Sequence, residues 1–202
     1  MSCALYGQLP DGRPVHCYTL RNRHGITARV MDYGAILIGL EAPDATGRCA
    51  DLTHGFDDLD GWLSRNAPFF GATVGRYGNR IAKGRFTLDG QAYELATNNA
   101  PAGIPCALHG GLRGFDKRLW QSRILNDGRV EMSLDSPAGE EGYPGTLRVT
   151  LIWSLNDDNE LIWQASATTD APTVINLIHH SYWNLSGDGS RDILDHRLTL
   201  HA

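Results

Sequence analysis

Apolar and polar residues alternate with a period of two along most of this chain, and turn residues break the alternation at short intervals. Val15–Leu20 and Ile26–Leu40 are rich in β-branched and aromatic residues, with Asn22, Gly25, Asp32 and Gly34 as breaks, and they predict strands; Glu41–Cys49 reads as a polar turn. Phe86–Leu88 and Gln91–Leu95 flank Asp89-Gly90, the strongest short-range hairpin signal a sequence carries. Leu119–Leu125 and Arg129–Leu134 flank Asp127-Gly128 in the same way, and Thr146–Leu155 and Glu160–Thr168 flank Asn156–Asn159. Val174–Trp183 and Ile193–His201 are the last two predicted strands. A helical period is sustained nowhere, and Asp57–Leu63 alone predicts a helix, of a turn or two.

Short strands joined by turns, with almost no helix, predict an all-β antiparallel sandwich or barrel, read as one domain over residues 1–202. Repetition at the periods of propellers and solenoids is absent. The apolar alternation of Leu194, Leu198 and Leu200 continues to the last residues, so the sheet is expected to be incomplete at its C-terminus.

Composition changes this picture little. Hydrophobic residues at 42% and charged residues at 20% argue for a packed core rather than disorder, and 23 glycines suit many turns. A net charge of −5 gives no basic footprint for nucleic acid and no attraction to an anionic membrane surface. The N-terminus lacks a basic region followed by an apolar run, and no stretch is long and apolar enough for a bilayer-crossing helix. Cys3, Cys17, Cys49 and Cys106 form no CxxC pair, which favours free thiols in a reducing, cytoplasmic setting.

Candidate chemistry sits in four stretches. Gly71–Arg85 punctuates Arg76, Asn79, Arg80 and Lys83 with glycines, but in neither phosphate-loop spacing, so the choice there is between a solvated basic face and donors for a polyhydroxylated ligand. Pro105–Trp120 sets His109 among Gly110, Gly111 and Gly114, ahead of Asp116, Lys117 and Arg118, a charge cluster expected at the surface. Ser136–Gly145 carries adjacent Glu140 and Glu141; sequence neighbours point apart, so a turn-rich acidic loop is favoured over the facing carboxylates of a glycoside hydrolase. In Asn176–Ser186, strand alternation puts Asn176, Ile178, His180, Tyr182 and Asn184 on one face, with Leu177, His179, Ser181, Trp183 and Leu185 on the other. His180, central on the polar face, is a general acid/base candidate. A zinc site built from His109, His179 and His180 is disfavoured, because adjacent histidines on a strand face opposite ways and no carboxylate or cysteine stands at a useful spacing.

Taken together, GRYGNRIAKGRFTLDG, LHGGLRGFDKRLW, SPAGEEGYPG and NLIHHSYWNLSG resemble the aldose 1-epimerase (galactose mutarotase) family over nearly the whole chain. The resemblance implies a β-sandwich of the galactose mutarotase-like supersandwich type. It also implies interconversion of the α and β anomers of free aldohexoses such as galactose and glucose, without a cofactor or a metal. By the same resemblance Arg80, with Asn79 beside it, binds sugar hydroxyls. His109 contacts the sugar and joins His180 as a catalytic candidate, and His180 is the general acid towards the ring oxygen. A glutamate base and a substrate-binding aspartate, which the family carries further towards its C-terminus, match no residue here. His179 stands where the family usually has asparagine, and Ile178 where it often has threonine; local repacking is expected. Three readings stay open: an epimerase whose glutamate base is absent from this chain, a non-catalytic sugar-binding or regulatory protein, and an inactive truncated product.

Overall fold

The computed structural model describes residues 1–187, 189 and 192–200. In chain order its strands are β1 (Ser2–Gln8), β2 (Pro14–Arg21), β3 (Thr27–Met31), β4 (Ile36–Pro43) and β5 (Cys49–Asp51), which pair in that order as one antiparallel five-stranded sheet. A short helix, α1 (Leu59–Arg65), follows; Asp58 caps it by accepting the Gly61 N–H. Next come β6 (Thr73–Val74), β7 (Arg80–Ala82), the hairpin β8 (Arg85–Leu88) and β9 (Gln91–Glu94), and β10 (Cys106–Leu108). The strands β11 (Gln121–Ile124), β12 (Val130–Ser136), β13 (Leu147–Leu155) and β14 (Leu161–Thr169) form a four-stranded antiparallel meander, and β15 (Ile178–His179) closes the series.

The two larger sheets face each other across the main core. Tyr18, Leu20, Ala28, Val30 and Leu37 from the first sheet meet Val130, Met132, Leu134, Val149, Leu151 and Trp153 from the second. Period-two patterning explains both sides: β12 and β13 bury every second residue. Each such apolar side chain contributes roughly 1.5–3 kcal/mol by leaving water. β3 and β4 are instead buried on both faces, because Met31, Ile36 and Ile38 pack beneath Trp62 of α1 together with Ala72 and Val74. That double burial is why their sequences read as near-continuous apolar runs.

The small pairs position the candidate site. β7 lies antiparallel to β10 with Arg80 opposite Leu108, and β15 lies antiparallel to β6 with His179 opposite Thr73. A parallel bridge joins Tyr77 to Asn176.

The three hairpins and the short helix stand where the sequence predicts them. β1, β5 and β10 have no counterpart in the sequence reading, Gly71–Arg85 holds the short strands β6 and β7, and the polar turn narrows because β4 reaches Pro43 and β5 begins at Cys49. Val174–Trp183 is corrected to the two-residue β15 with bridges at Asn176 and Trp183. Residues 193–200 form no strand, although Leu194, Leu198 and Leu200 alternate in sequence, and His201 lies outside the described residues. Among the described residues no helix is long and apolar enough to cross a membrane, and the four cysteines are free thiols.

Candidate functional site

His109 leaves the end of β10 with a left-handed backbone, φ 53°. Its N–H donates to the Asn79 carbonyl at 3.0 Å, and its Nδ1 accepts the Asn79 N–H at 3.0 Å. A backbone amide is always a donor, so Nδ1 must offer its lone pair and the neutral ring carries its proton on Nε2. Burial, with smaller contributions from His180, Arg80 and Lys117, lowers the His109 pKa to about 4. At neutral pH it is therefore an uncharged ring with one fixed N–H donor.

The glycines around it are required by close approach. A Cβ on Gly110 would stand 1.9 Å from the Gly75 carbonyl oxygen, and Gly110 itself has φ 87°. Asn79 also adopts a left-handed backbone, φ 63°, which asparagine tolerates better than most residues. Its side-chain oxygen accepts from Arg80 Nη1 at 3.0 Å, while Arg80 Nε donates to Asn99 Oδ1 at 3.3 Å. Asn79 and Arg80 are both exposed, so the guanidinium edge is held at the surface beside His109.

His180 arrives from the far end of the chain. β15 pairs with β6, and just beyond it the His180 N–H donates to the Ala72 carbonyl while its own carbonyl accepts the Gly71 N–H. These bonds bring the His180 ring 5.1 Å from the His109 ring, at 90°. Phe69 packs 4.6 Å from His109 and 5.9 Å from His180, and Tyr182 stacks on His180 at 5.4 Å. His179 points the other way, 5.1 Å from Trp153 and 6.2 Å from Trp163, and burial lowers its pKa to about 4.

The structure thus brings all four predicted residues, Asn79, Arg80, His109 and His180, onto one wall. The predicted polar face around His180 holds only in part. His179 and His180 do point apart, and Tyr182 lies beside His180, but Ile178 packs into the core, Asn184 is fully buried, and Asn176 donates from Nδ2 to the Gly78 carbonyl. Alternation ends where β15 ends, because main-chain bonds then run to loops rather than to a neighbouring strand.

Two sequence readings are corrected. Arg76 is not on a solvated basic face: only 2% exposed, its guanidinium donates to the carbonyls of Ser136, Pro137, Pro144 and Gly145 and to the hydroxyls of Ser136 and Thr173. The Asp116–Arg118 cluster is not a loose surface network either. Asp116 is buried and pairs with Lys117 at 3.1 Å, Lys117 caps the Phe69 ring, and Arg118 pairs with Glu140. Phe69 and the asparagines Asn98 and Asn99 escaped the sequence reading; a left-handed Phe, φ 64°, has no sequence signature, and Asn98-Asn99 looks like any turn. Among the described residues no group of three or more His, Cys, Asp or Glu side chains is arranged to hold a metal ion.

Fold and site together define an antiparallel β-sandwich protein one wall of which gathers a buried and a half-buried imidazole, an exposed guanidinium and a carboxamide around aromatic rings, a set suited to a hydroxylated ligand. Comparison with known proteins agrees with that class. The aldose 1-epimerase family profile matches residues 16–202. Bovine galactose mutarotase is 46% identical over 200 residues, covering 98% of this chain and 56% of the relative. The Escherichia coli K12 aldose 1-epimerase is 39% identical over 96% of this chain and 54% of its own length. A solved aldose epimerase homologue from C. elegans superposes with a TM-score of 0.78 at 35% identity, over 86% of this chain and 51% of that one. The chain belongs to the aldose 1-epimerase family, and it spans about half the length of the relatives it matches.

Proposed function

We propose that this chain binds free aldohexoses such as galactose and glucose and supplies the proton-donating side of an anomer-interconverting site. The observation that carries the proposal is the convergence of His109, His180, Arg80 and Asn79, with the two imidazole rings 5.1 Å apart although their residues are 71 positions apart in the chain.

Interconversion needs a proton on the ring oxygen and a proton off the anomeric hydroxyl. The C1–O5 bond then breaks, the aldehyde turns about C1–C2, and the ring recloses on its other face. His180, half-buried beside the His109 ring, donates to O5 and recovers the proton on closure. His109, kept neutral by burial, acts as the fixed Nε2–H donor to a sugar hydroxyl. Arg80 adds charged donors that match vicinal hydroxyls, and Asn79 holds the guanidinium in place.

The proton on O1 needs an acceptor. Glu140 is engaged by Arg118 and Ser136, and Glu141 by two loop amides, so neither is turned to this wall. A wall with water in place of a positioned base would exchange about 10²–10⁴ slower than one with a base. The same observation favours a second reading, a non-catalytic sugar-binding protein.

Freshly dissolved α-galactose and α-glucose, followed by polarimetry, separate the two. Exchange faster than buffer, saturating in sugar and lost in His180→Ala, supports the catalytic reading. Saturable binding with exchange at the buffer rate transfers the site to the second, and absence of binding removes both.

A further inference from the structure

The paired glutamates of Ser136–Gly145 are left without a role by the proposed chemistry, yet one of them reaches the loop that carries His109. The Glu141 carboxylate accepts the Leu112 N–H at 2.8 Å on Oε2 and the Arg113 N–H at 3.1 Å on Oε1. It does so from a left-handed backbone, φ 50°, set in the turn 140–142. Gly111 is the place of closest approach, since a Cβ there would fall 2.2 Å from Glu141 Oε2.

The other end of the same loop is gripped by Asn98. Its Oδ1 accepts the Leu108 N–H at 2.7 Å, and its Nδ2 donates to the carbonyls of Leu108 and Gly111 at 3.0 and 2.8 Å. His109 and Gly110 therefore hang between two clamps. The first is a strand end held by a carboxamide. The second is a pair of consecutive amides held by a carboxylate, a charge-assisted contact roughly twice as strong as a neutral one. Behind Glu141, Arg76 fixes the same acidic loop through the carbonyls of Pro144 and Gly145.

We infer that Glu141 is a positioning residue for the His109 ring: by gripping the amides of Leu112 and Arg113 it holds His109 in its buried, Asn79-bonded pose, the pose in which Nε2–H meets a sugar hydroxyl. The role of that pose rests on the sugar-site reading above; the clamp itself does not. A misplacement of about an ångström in a donor can cost up to about 100-fold in a site of this kind.

The experiment uses Glu141→Gln, with Glu140→Gln as the control on the neighbouring side chain, and two readouts on the full chain. The first is the pH titration of the His109 ring nitrogens by NMR. In the parent chain burial lowers the ring's pKa to about 4, and the titration is expected there. Loosening the loop exposes the ring, so Glu141→Gln is expected to move its midpoint up towards 6.5, with Glu140→Gln leaving it in place. Removal of a nearby negative charge alone would move it down, so the direction separates repositioning from electrostatics. The second readout is galactose affinity, expected to weaken about tenfold or more in Glu141→Gln. An unchanged or lowered His109 midpoint overturns the inference, as does an equal rise in both variants. If Glu141→Gln does not fold, Glu141→Asp, which keeps the charge but withdraws it by one methylene, is read the same way. Failure of the parent chain to bind galactose refutes the sugar-site reading, while the His109 titration still decides the clamp.

Discussion

His179 is the residue whose environment makes the sharpest quantitative demand on this fold. Its ring is packed between Trp153 and Trp163 with Nε2 2.7 Å from the Ser181 hydroxyl. Its Nδ1 is buried with no partner, so a second ring proton would have nothing to bond to. Burial accordingly lowers the pKa from 6.5 to about 4. A group whose folded pKa lies below its unfolded value resists protonation only in the fold. Its stabilising contribution is full above pH 6.5 and is lost as pH falls from 6.5 towards 4. At pH 4.5 the unfolded chain is almost fully protonated here and the folded chain mostly not, which makes the difference in stability between pH 7 and pH 4.5 on the order of 2 kcal/mol from this residue. Urea unfolding at the two pH values, followed by tryptophan fluorescence, measures it. His179→Asn should shrink the acid loss by about that amount. His109 contributes an acid loss of its own, while Asp32 and Asp116, raised by burial, favour the fold as pH falls. All three are present in both chains and cancel in the comparison. An acid loss as large in His179→Asn as in the parent would refute the reasoning.

Three further outcomes follow from named contacts. Arg76→Met leaves buried carbonyls of Ser136, Pro137, Pro144 and Gly145 without their donor, and it should destabilise the chain by roughly 3–5 kcal/mol. In thermal melts that is a drop of about 6–20 °C for a chain of this size, and a drop under about 2 °C would contradict it. Gly110→Ala drives a methyl group into the Gly75 carbonyl from a left-handed backbone and should displace His109, read as lost sugar binding together with a lowered melting temperature. Arg80→Ala removes an exposed side chain, so it should leave the melting temperature within about 2 °C while weakening aldose affinity about tenfold, the equivalent of one charge-assisted hydrogen bond.

What could be read from sequence and what could not divides along the range of the interactions. β8–β9, β11–β12 and β13–β14 are local hairpins, the first two closed by Asp-Gly turns and the third by Asn156–Asn159, and they stand where the pattern predicts. β7, β10, β6 and β15 are two- and three-residue pieces paired across long stretches of chain, too short to show a period. The site depends on those pieces. Its residue types were legible from glycine spacing and alternating faces, but the meeting of His109 with His180 was legible only through family resemblance. Arg76 shows the opposite failure: a basic residue among glycines reads as a surface donor, and only the fold reveals carbonyls converging on it. Leu194, Leu198 and Leu200 alternate like a strand, and among the described residues no partner strand lies beside them.

The central claim is that Asn79, Arg80, His109 and His180 form one wall that binds a free aldose. Titrating the isotope-labelled chain with galactose and following backbone and imidazole nitrogen signals tests it most directly. The account predicts saturable shifts at all four residues that fit a single dissociation constant, with the tryptophan-packed ring of His179 unmoved. Shifts that fail to saturate, or that saturate elsewhere and leave His109 and His180 unchanged, would contradict it.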